Sequence, residues 1–293
     1  MASPARALAL LVAVGAVWGL SFTLSRIVVS GGGHPFAIAF WQCAGGAAVL
    51  YALGRRPPRA LFFFAVTGII GAALPSSLIY AAARHVSAGA LSVCMALAPL
   101  ATFGLCAALG IERLAARRAA GLALGLAAVW LLAAPGGGAP LGWTLLAVGA
   151  ACSYATENVW LSLRRPAAAG PFDLLCGILA AAALWLAPLA LATGRPWPLS
   201  WPAGAAEAAF AVQLLGNLLG YGGFVHLIGR AGPVFASQVA YVVTTAGVAW
   251  GAALLGERHA GLFWLAAALM AAGLALTLPR PAHPLWTRAR PTL

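Results

Sequence analysis

Ten apolar runs take up nearly the whole chain: 7–29, 35–53, 61–82, 88–109, 119–134, 141–163, 172–193, 203–228, 233–255 and 262–278, parted by short breaks rich in Gly, Pro and Arg. In hydrocarbon every backbone N–H and C=O needs a partner within the protein, so a spanning segment is either a helix or a strand of a closed barrel. A barrel strand needs only about 9–11 residues, whereas a helix rising about 1.5 Å per residue needs about 20 to cross a core of about 30 Å. The run lengths select helices. Composition agrees: 63% of the 293 residues are hydrophobic and 8% are charged, where a soluble domain spends about a quarter on charge. The sequence predicts an all-α membrane protein of ten transmembrane helices, with membrane lipid as one partner.

A net charge of +12 would suggest nucleic acid in a soluble protein, but the basic residues are all Arg and sit mostly in short loops. They form no contiguous basic face to track a phosphate backbone, so nucleic acid is not expected. The first run follows Arg6 and exceeds the 7–15 residues of a signal-peptide core, which reads as a retained helix. Cys43, Cys94, Cys106, Cys152 and Cys176 lie singly inside apolar runs, with no spacing for a metal or a disulfide, and read as small core residues. Neither a nucleotide loop nor a metal-ligand cluster is present in the sequence, so neither cofactor nor direct ATP drive is expected.

Arginine in short loops marks the cytoplasmic side. With the N-terminus inside, that side holds Arg6, Arg55, Arg56, Arg59, Arg113, Arg117, Arg118, Arg164, Arg165, Arg230, Arg280, Arg288 and Arg290, against Arg26, Arg84, Arg195 and Arg258 outside. Both termini are expected in the cytoplasm, with the chain in a bacterial-type inner membrane.

The chain also repeats itself across the Pro/Gly-rich break at 135–140. AVGA at 13–16 recurs at 147–150, GGGHPF ending at Phe36 resembles AAAGPF ending at Phe172, and the segment from Cys106 resembles that from Gly251. The shared order implies two homologous halves. Five helices per half is an odd number, so the second half must enter from the opposite side. The expected organisation is two inverted five-helix repeats, 1–137 and 138–280, with a basic tail at 281–293. Inverted repeats recur in secondary transporters, with the substrate near the midplane between them.

These residues resemble the EamA-like members of the drug/metabolite transporter superfamily. The resemblance covers residues 7–278 and rests on VWGLSF (Trp18, Gly19), on ARHVSAGALSVCMALAPLATFGLCAALGIE from Ala83, and on GRAGPVFASQVAYVVTTAGVAWGAALLGE from Gly229, with Ser92 or Ser237 and a terminal Gly-x-Glu or Gly-Glu. It implies an inner-membrane carrier of small metabolites, commonly an exporter of amino acids or related compounds. The family often has Pro in both helices 4 and 9; here Pro99 stands opposite Thr244, so a proline-dependent kink is expected on one side only.

An ionisable group at mid-membrane is costly and marks a functional site by default. On a helical wheel Ser153, Glu157, Trp160 and Arg164 share a face flanked by Tyr154 and Asn158. This face is expected to line the central cavity, with Glu157 binding a substrate ammonium or a coupling proton; a carboxylate paired with Arg or reaching the interface is the structural alternative. Gln213, Asn217 and Tyr221 form one polar stripe on helix 8, read as cavity lining or, with Gly216 and Gly220, as helix-packing glue. Helix 9 offers Ser237, Gln238, Tyr241, Thr244 and Thr245; helix 3 offers Ser76, Ser77 and Tyr80 after a kink at Pro75; Trp18, Trp41 and Gln42 could wall a cavity. The expected substrate-binding set is Glu157, Asn158, Tyr154, Trp160, Gln213, Asn217, Tyr221, Gln238, Tyr241, Thr245, Tyr80 and Trp18. Glu112 and Glu257 are expected to cap helix N-termini and pair with adjoining Arg113 or Arg258. Arg26, Arg84 and Glu207 read as residues reaching the outer interface.

The expected function is secondary transport of a small-molecule substrate by alternating access. A multidrug/cation or nucleoside-type carrier of the same fold is the alternative. No GxSG, HExxH or intramembrane acid pair is present in the sequence to support an embedded enzyme, and the repeat favours a carrier over a channel. The sequence carries no signal of oligomeric state.

Overall fold

The structure, a computed structural model, describes residues 4–111, 115–134, 139–166, 169–194, 200, 202–231, 233–236 and 238–277. Glu112, Arg113, Arg195, Ser237, Arg280, Arg288, Arg290, most of the 135–140 break and the tail at 281–293 lie outside the described residues. The described residues form ten helical segments and no strand: α1 (Pro4–Ser30), α2 (Pro35–Ala52), α3 (Leu61–Ala82), α4 (Ala88–Ala108), α5 (Ala116–Ala133), α6 (Leu141–Arg164), α7 (Pro171–Ala192), α8 (Ala205–Ala231), α9 (Val239–Leu255, preceded by the single turn Pro233–Ala236) and α10 (Gly261–Thr277). Seven of these, all but α6, α9 and α10, are long and apolar enough to cross a membrane, and α9 and α10 are apolar but shorter. The protein is a multi-pass integral membrane protein.

The ends follow local chemistry. Pro35 opens α2 with His34 accepting from the Phe36 N–H, and Ser87 caps α4 by accepting from the Ala90 N–H at 3.1 Å. Burial pushes the His34 ring below its ordinary 6.5, with Arg84 acting in the same direction; the neutral ring keeps a nitrogen free to accept that bond. At Gly256 the backbone turns left-handed (φ 63°) and ends α9, a conformation that glycine adopts without penalty.

The outer surface is as apolar as the interior. Leu61 is 86% exposed and Leu184 77%, while Leu91, Leu100, Leu132 and Met270 are fully buried. Large side chains turned outward on this scale are expected only against lipid.

Two helices break, and each break has a proline behind it. In α3 the turn Ile69–Ala73 is π-helical, with the Leu74 N–H bonding the Ile69 carbonyl. In that wider register the Ile70 carbonyl would receive the N–H of residue 75, but residue 75 is proline and has none. In α4 the helix interrupts at Ala96, between Ala88–Met95 and Leu97–Ala108. Pro99 cannot bond the Met95 carbonyl one turn back. Opposite it, α9 runs unbroken over Val239–Leu255 through Thr244.

The principal packings pair up. α1 lies on α8 and α9, and α6 lies on α3 and α4; α2 meets α7, α4 meets α9, and α5 meets α10. Exchanging each helix with the one five places on leaves these partners unchanged; α3 also lies on α7, and there the symmetry is weaker, because α8 touches α2 only slightly. The two halves of α4 share α6 but otherwise differ in company: Ala88–Met95 packs on α9 and α1, whereas Leu97–Ala108 packs on α5 and α10. The α5–α10 seam is closed by glycines, because a β-carbon on Gly121 or on Gly273 would lie 2.6 Å from the other's carbonyl oxygen. Overpacking of this kind costs about 1–3 kcal/mol. Gly273→Val is therefore expected to lower the melting temperature of the detergent-solubilised protein by several degrees, whereas Gly261→Val, at a glycine with open space around it, leaves it nearly unchanged.

Candidate functional site

The polar face of α6 meets the broken stretch of α3. Ser153 Oγ donates to the Ile70 carbonyl at 2.6 Å, supplying the bond that Pro75 cannot. One turn on, the Glu157 carboxylate rests against Gly71, so closely that a β-carbon there would overlap it. A further turn on, Trp160 Nε1 donates to Thr67 Oγ1 at 3.1 Å, and Arg164 lies over the Trp160 ring, 5.9 Å from its centre. The predicted face thus exists, and it is turned toward α3. Among the described residues, Glu157 has no hydrogen-bond or ion-pair partner. It is half-buried, and Tyr154 on α6 and Tyr221 on α8 lie within its electrostatic reach. Tyr154 is likewise coupled to Tyr80 on α3 and to Cys43 on α2. Tyr154 and Tyr221 thus bring α6 and α8 to the carboxylate, with Tyr80 of α3 reaching it only through Tyr154.

The stripe on α8 splits between two roles. Gln213 is buried and fully engaged: its amide nitrogen donates to the Ser21 carbonyl at 3.1 Å and to Ser25 Oγ at 2.8 Å, and its oxygen accepts from Tyr80 at 3.2 Å. Asn217 accepts from Ser21 Oγ at 2.7 Å. These two amides fasten α8 to α1, with Tyr80 tying in α3. Tyr221, at the end of the stripe, reaches the Pro171 carbonyl at 3.4 Å and packs edge-on to Phe172.

Other expected site residues are placed elsewhere. Asn158 is exposed and donates to Thr102 on α4 at 3.3 Å. Trp18 packs on Phe224 and against Gly220 of α8. On α9, Thr245 bonds the Tyr241 and Val242 carbonyls of its own helix, and the Tyr241 hydroxyl is buried without a partner among the described residues. Gln238 precedes α9, where its backbone N–H bonds the Phe235 carbonyl. Gly71, Cys43, Ser21 and Ser25 were not in the sequence-derived set. Only Gly71 had a signal there, standing four residues before Pro75.

A second polar cluster gathers the ends of α1 and α9 with the start of α4. Glu257, its side chain 8% exposed, accepts from the Ala88 N–H at 2.7 Å and the Gly89 N–H at 3.1 Å, and pairs with Arg26 at 3.1 Å. The expected cap is present, but on α4 rather than on the helix that follows in sequence, and its cation is Arg26 rather than Arg258. Arg26 also donates to the Val86 carbonyl, so it turns inward to this cluster. Arg84 donates to the Gly33 carbonyl at 2.6 Å, and Glu207 accepts from the Ser200 and Gly204 N–H groups.

Apolar helices that bury Ser153, Gln213 and the Glu257 carboxylate between them define a helical membrane protein with polar groups in its interior. Residues 5–134 match the EamA-like transporter family, a family of transporters rather than enzymes. No curated protein matches the sequence. A solved structure described only as "Crystal structure of protein" superposes with a TM-score of 0.54 at 23% identity, covering 94% of this chain and 96% of that chain; that likeness concerns the fold.

Removing one member of a buried, hydrogen-bonded ion pair costs about 3–5 kcal/mol, so Glu257→Ala is expected to lower the melting temperature strongly and Glu257→Gln, which can still accept both N–H bonds, less. His259 stacks on Phe263 at 3.7 Å, and burial holds its ring below the ordinary 6.5, partly opposed by Glu257. Protonation therefore favours the unfolded chain: the His259 contribution is full above pH 6.5 and declines as pH falls below it. Thermal melts at pH 5.5 and 7.5 should differ less in His259→Gln than in the unmodified protein.

Proposed function

We propose that the chain is a secondary carrier exporting small amine-bearing metabolites, amino acids among them, by alternating access between the halves 1–137 and 138–280. The halves are related as inverted repeats; both termini lie in the cytoplasm and the chain in a bacterial-type inner membrane. The pairwise exchange of helix partners described above supports the repeat, and the placement of the arginines supports the orientation.

One observation carries the substrate class. Glu157 is a half-buried carboxylate on α6 with no hydrogen-bond or ion-pair partner among the described residues, and within a bundle of apolar helices an unpaired charge calls for either a proton or a cation. Tyr154 and Tyr221 beside it suit an ammonium group, which the faces of aromatic rings attract. Glu157 would hold the substrate ammonium in one step and a coupling proton in the other. An organic-cation carrier fits the same three residues and is separated by the test below.

That test is uptake into proteoliposomes of labelled amino acids, organic cations and nucleosides, with and without an imposed pH gradient. Movement of an amine-bearing solute, reduced at least about tenfold in Glu157→Gln and no longer responsive to the gradient, is expected; tenfold corresponds to about 1.4 kcal/mol. Uptake confined to organic cations rejects the amino-acid assignment. Movement of no solute by a folded preparation, or a Glu157→Gln protein indistinguishable from the original, overturns the proposal.

A further inference from the structure

We propose that the π turn of α3 is the seat that positions the Glu157 carboxylate, with Gly71 as the positioning residue and Ser153 as the clamp that holds the turn to α6. This rests on Glu157 serving as the substrate or proton group of the carrier, and it assigns the feature that fixes where that group stands.

Three contacts carry it. Ser153, Glu157 and Trp160 occupy successive turns of one face of α6, and they meet Ile70, Gly71 and Thr67 of α3. The Ser153 hydroxyl takes the carbonyl that the π register and Pro75 leave without a donor. An unsatisfied carbonyl in hydrocarbon is costly, so this bond holds the turn in its widened form. The turn in turn sets which residue faces α6. Each residue advances an α-helix by about 100°, so a register change of one residue would bring Ile70 or Ala72 to the carboxylate in place of Gly71. Only a residue without a side chain leaves the carboxylate room there. The Ile69–Ala73 turn holds no ionisable group; the titratable neighbours are Tyr154 on α6 and Tyr221 on α8. With the seat filled, the carboxylate is displaced toward those tyrosines and the aqueous path of the carrier.

Gly71→Ala isolates this effect. Alanine is the better helix former, and the group it displaces is the free end of a flexible side chain, so the variant folds. The full-length protein in proteoliposomes is treated in parallel with a lipid-soluble carbodiimide (dicyclohexylcarbodiimide) and a water-soluble one (ethyl-dimethylaminopropyl-carbodiimide). Modification of Glu157 is read by mass spectrometry, with Glu157→Gln as the blank. Gly71→Ala is expected to raise the ratio of water-soluble to lipid-soluble modification at least about threefold, and Ser153→Ala to do the same by releasing the turn, since site groups lose their placement when the supporting contacts go. An unchanged ratio in a Gly71→Ala protein with the original elution volume and melting temperature overturns the proposal. An unchanged ratio in Ser153→Ala removes the clamp from it. Normal transport by Glu157→Gln would sink the proposed role of Glu157 without touching these ratios, so the two failures are distinct.

Discussion

A helix that breaks inside hydrocarbon must find a hydrogen-bond partner elsewhere in the protein, and this structure depends on where those partners come from. The Ile70 carbonyl of α3, left open by Pro75, is met by Ser153 of α6. The Ala88 and Gly89 N–H groups, open because α4 starts there, are met by Glu257 from beyond α9. In both cases one half of the chain supplies what the other lacks. At these two places backbone groups that lack a partner in their own helix meet side chains from the other half of the sequence.

The same rule sorts the polar residues by role. Gln213 has both amide donors and one acceptor site of its oxygen engaged, which makes it a fastener between α8, α1 and α3. Thr244 and Thr245 bond carbonyls of their own helix. Glu157 differs in having no such partner among the described residues while lying beside Tyr154 and Tyr221.

Much of this was legible in one dimension. Leu61–Ala82 follows from apolar run length alone, since nothing but a helix satisfies the backbone over such a stretch, and the interruption of α4 near Pro99 with a continuous α9 follows from the missing proline at Thr244. The wheel grouped Ser153, Glu157 and Trp160 correctly because periodicity fixes a face. It could not name what the face meets: a period describes one helix, and Ile70, Gly71 and Thr67 lie on another. Glu257 shows the same limit. Its capping role could be inferred from residue type, but the capped helix and the pairing with Arg26 are contacts between segments far apart in sequence, set by packing that no local pattern encodes.

The central proposal is alternating access between the two halves, and one place where they meet is the packing of Ala88–Met95 of α4 on α9. A β-carbon on Gly251 would stand 3.3 Å from that of Ala88, close to the roughly 3.5–4.5 Å that a disulfide spans, and would overlap the Glu257 carboxylate, so the reduced double variant is the reference for its oxidised form. The most direct measurement is transport by an Ala88→Cys/Gly251→Cys protein, with the native cysteines replaced, before and after oxidation, using any solute the unmodified protein carries. The account predicts that the cross-link stops transport and that a reductant restores it. Undiminished transport by fully cross-linked protein would contradict it.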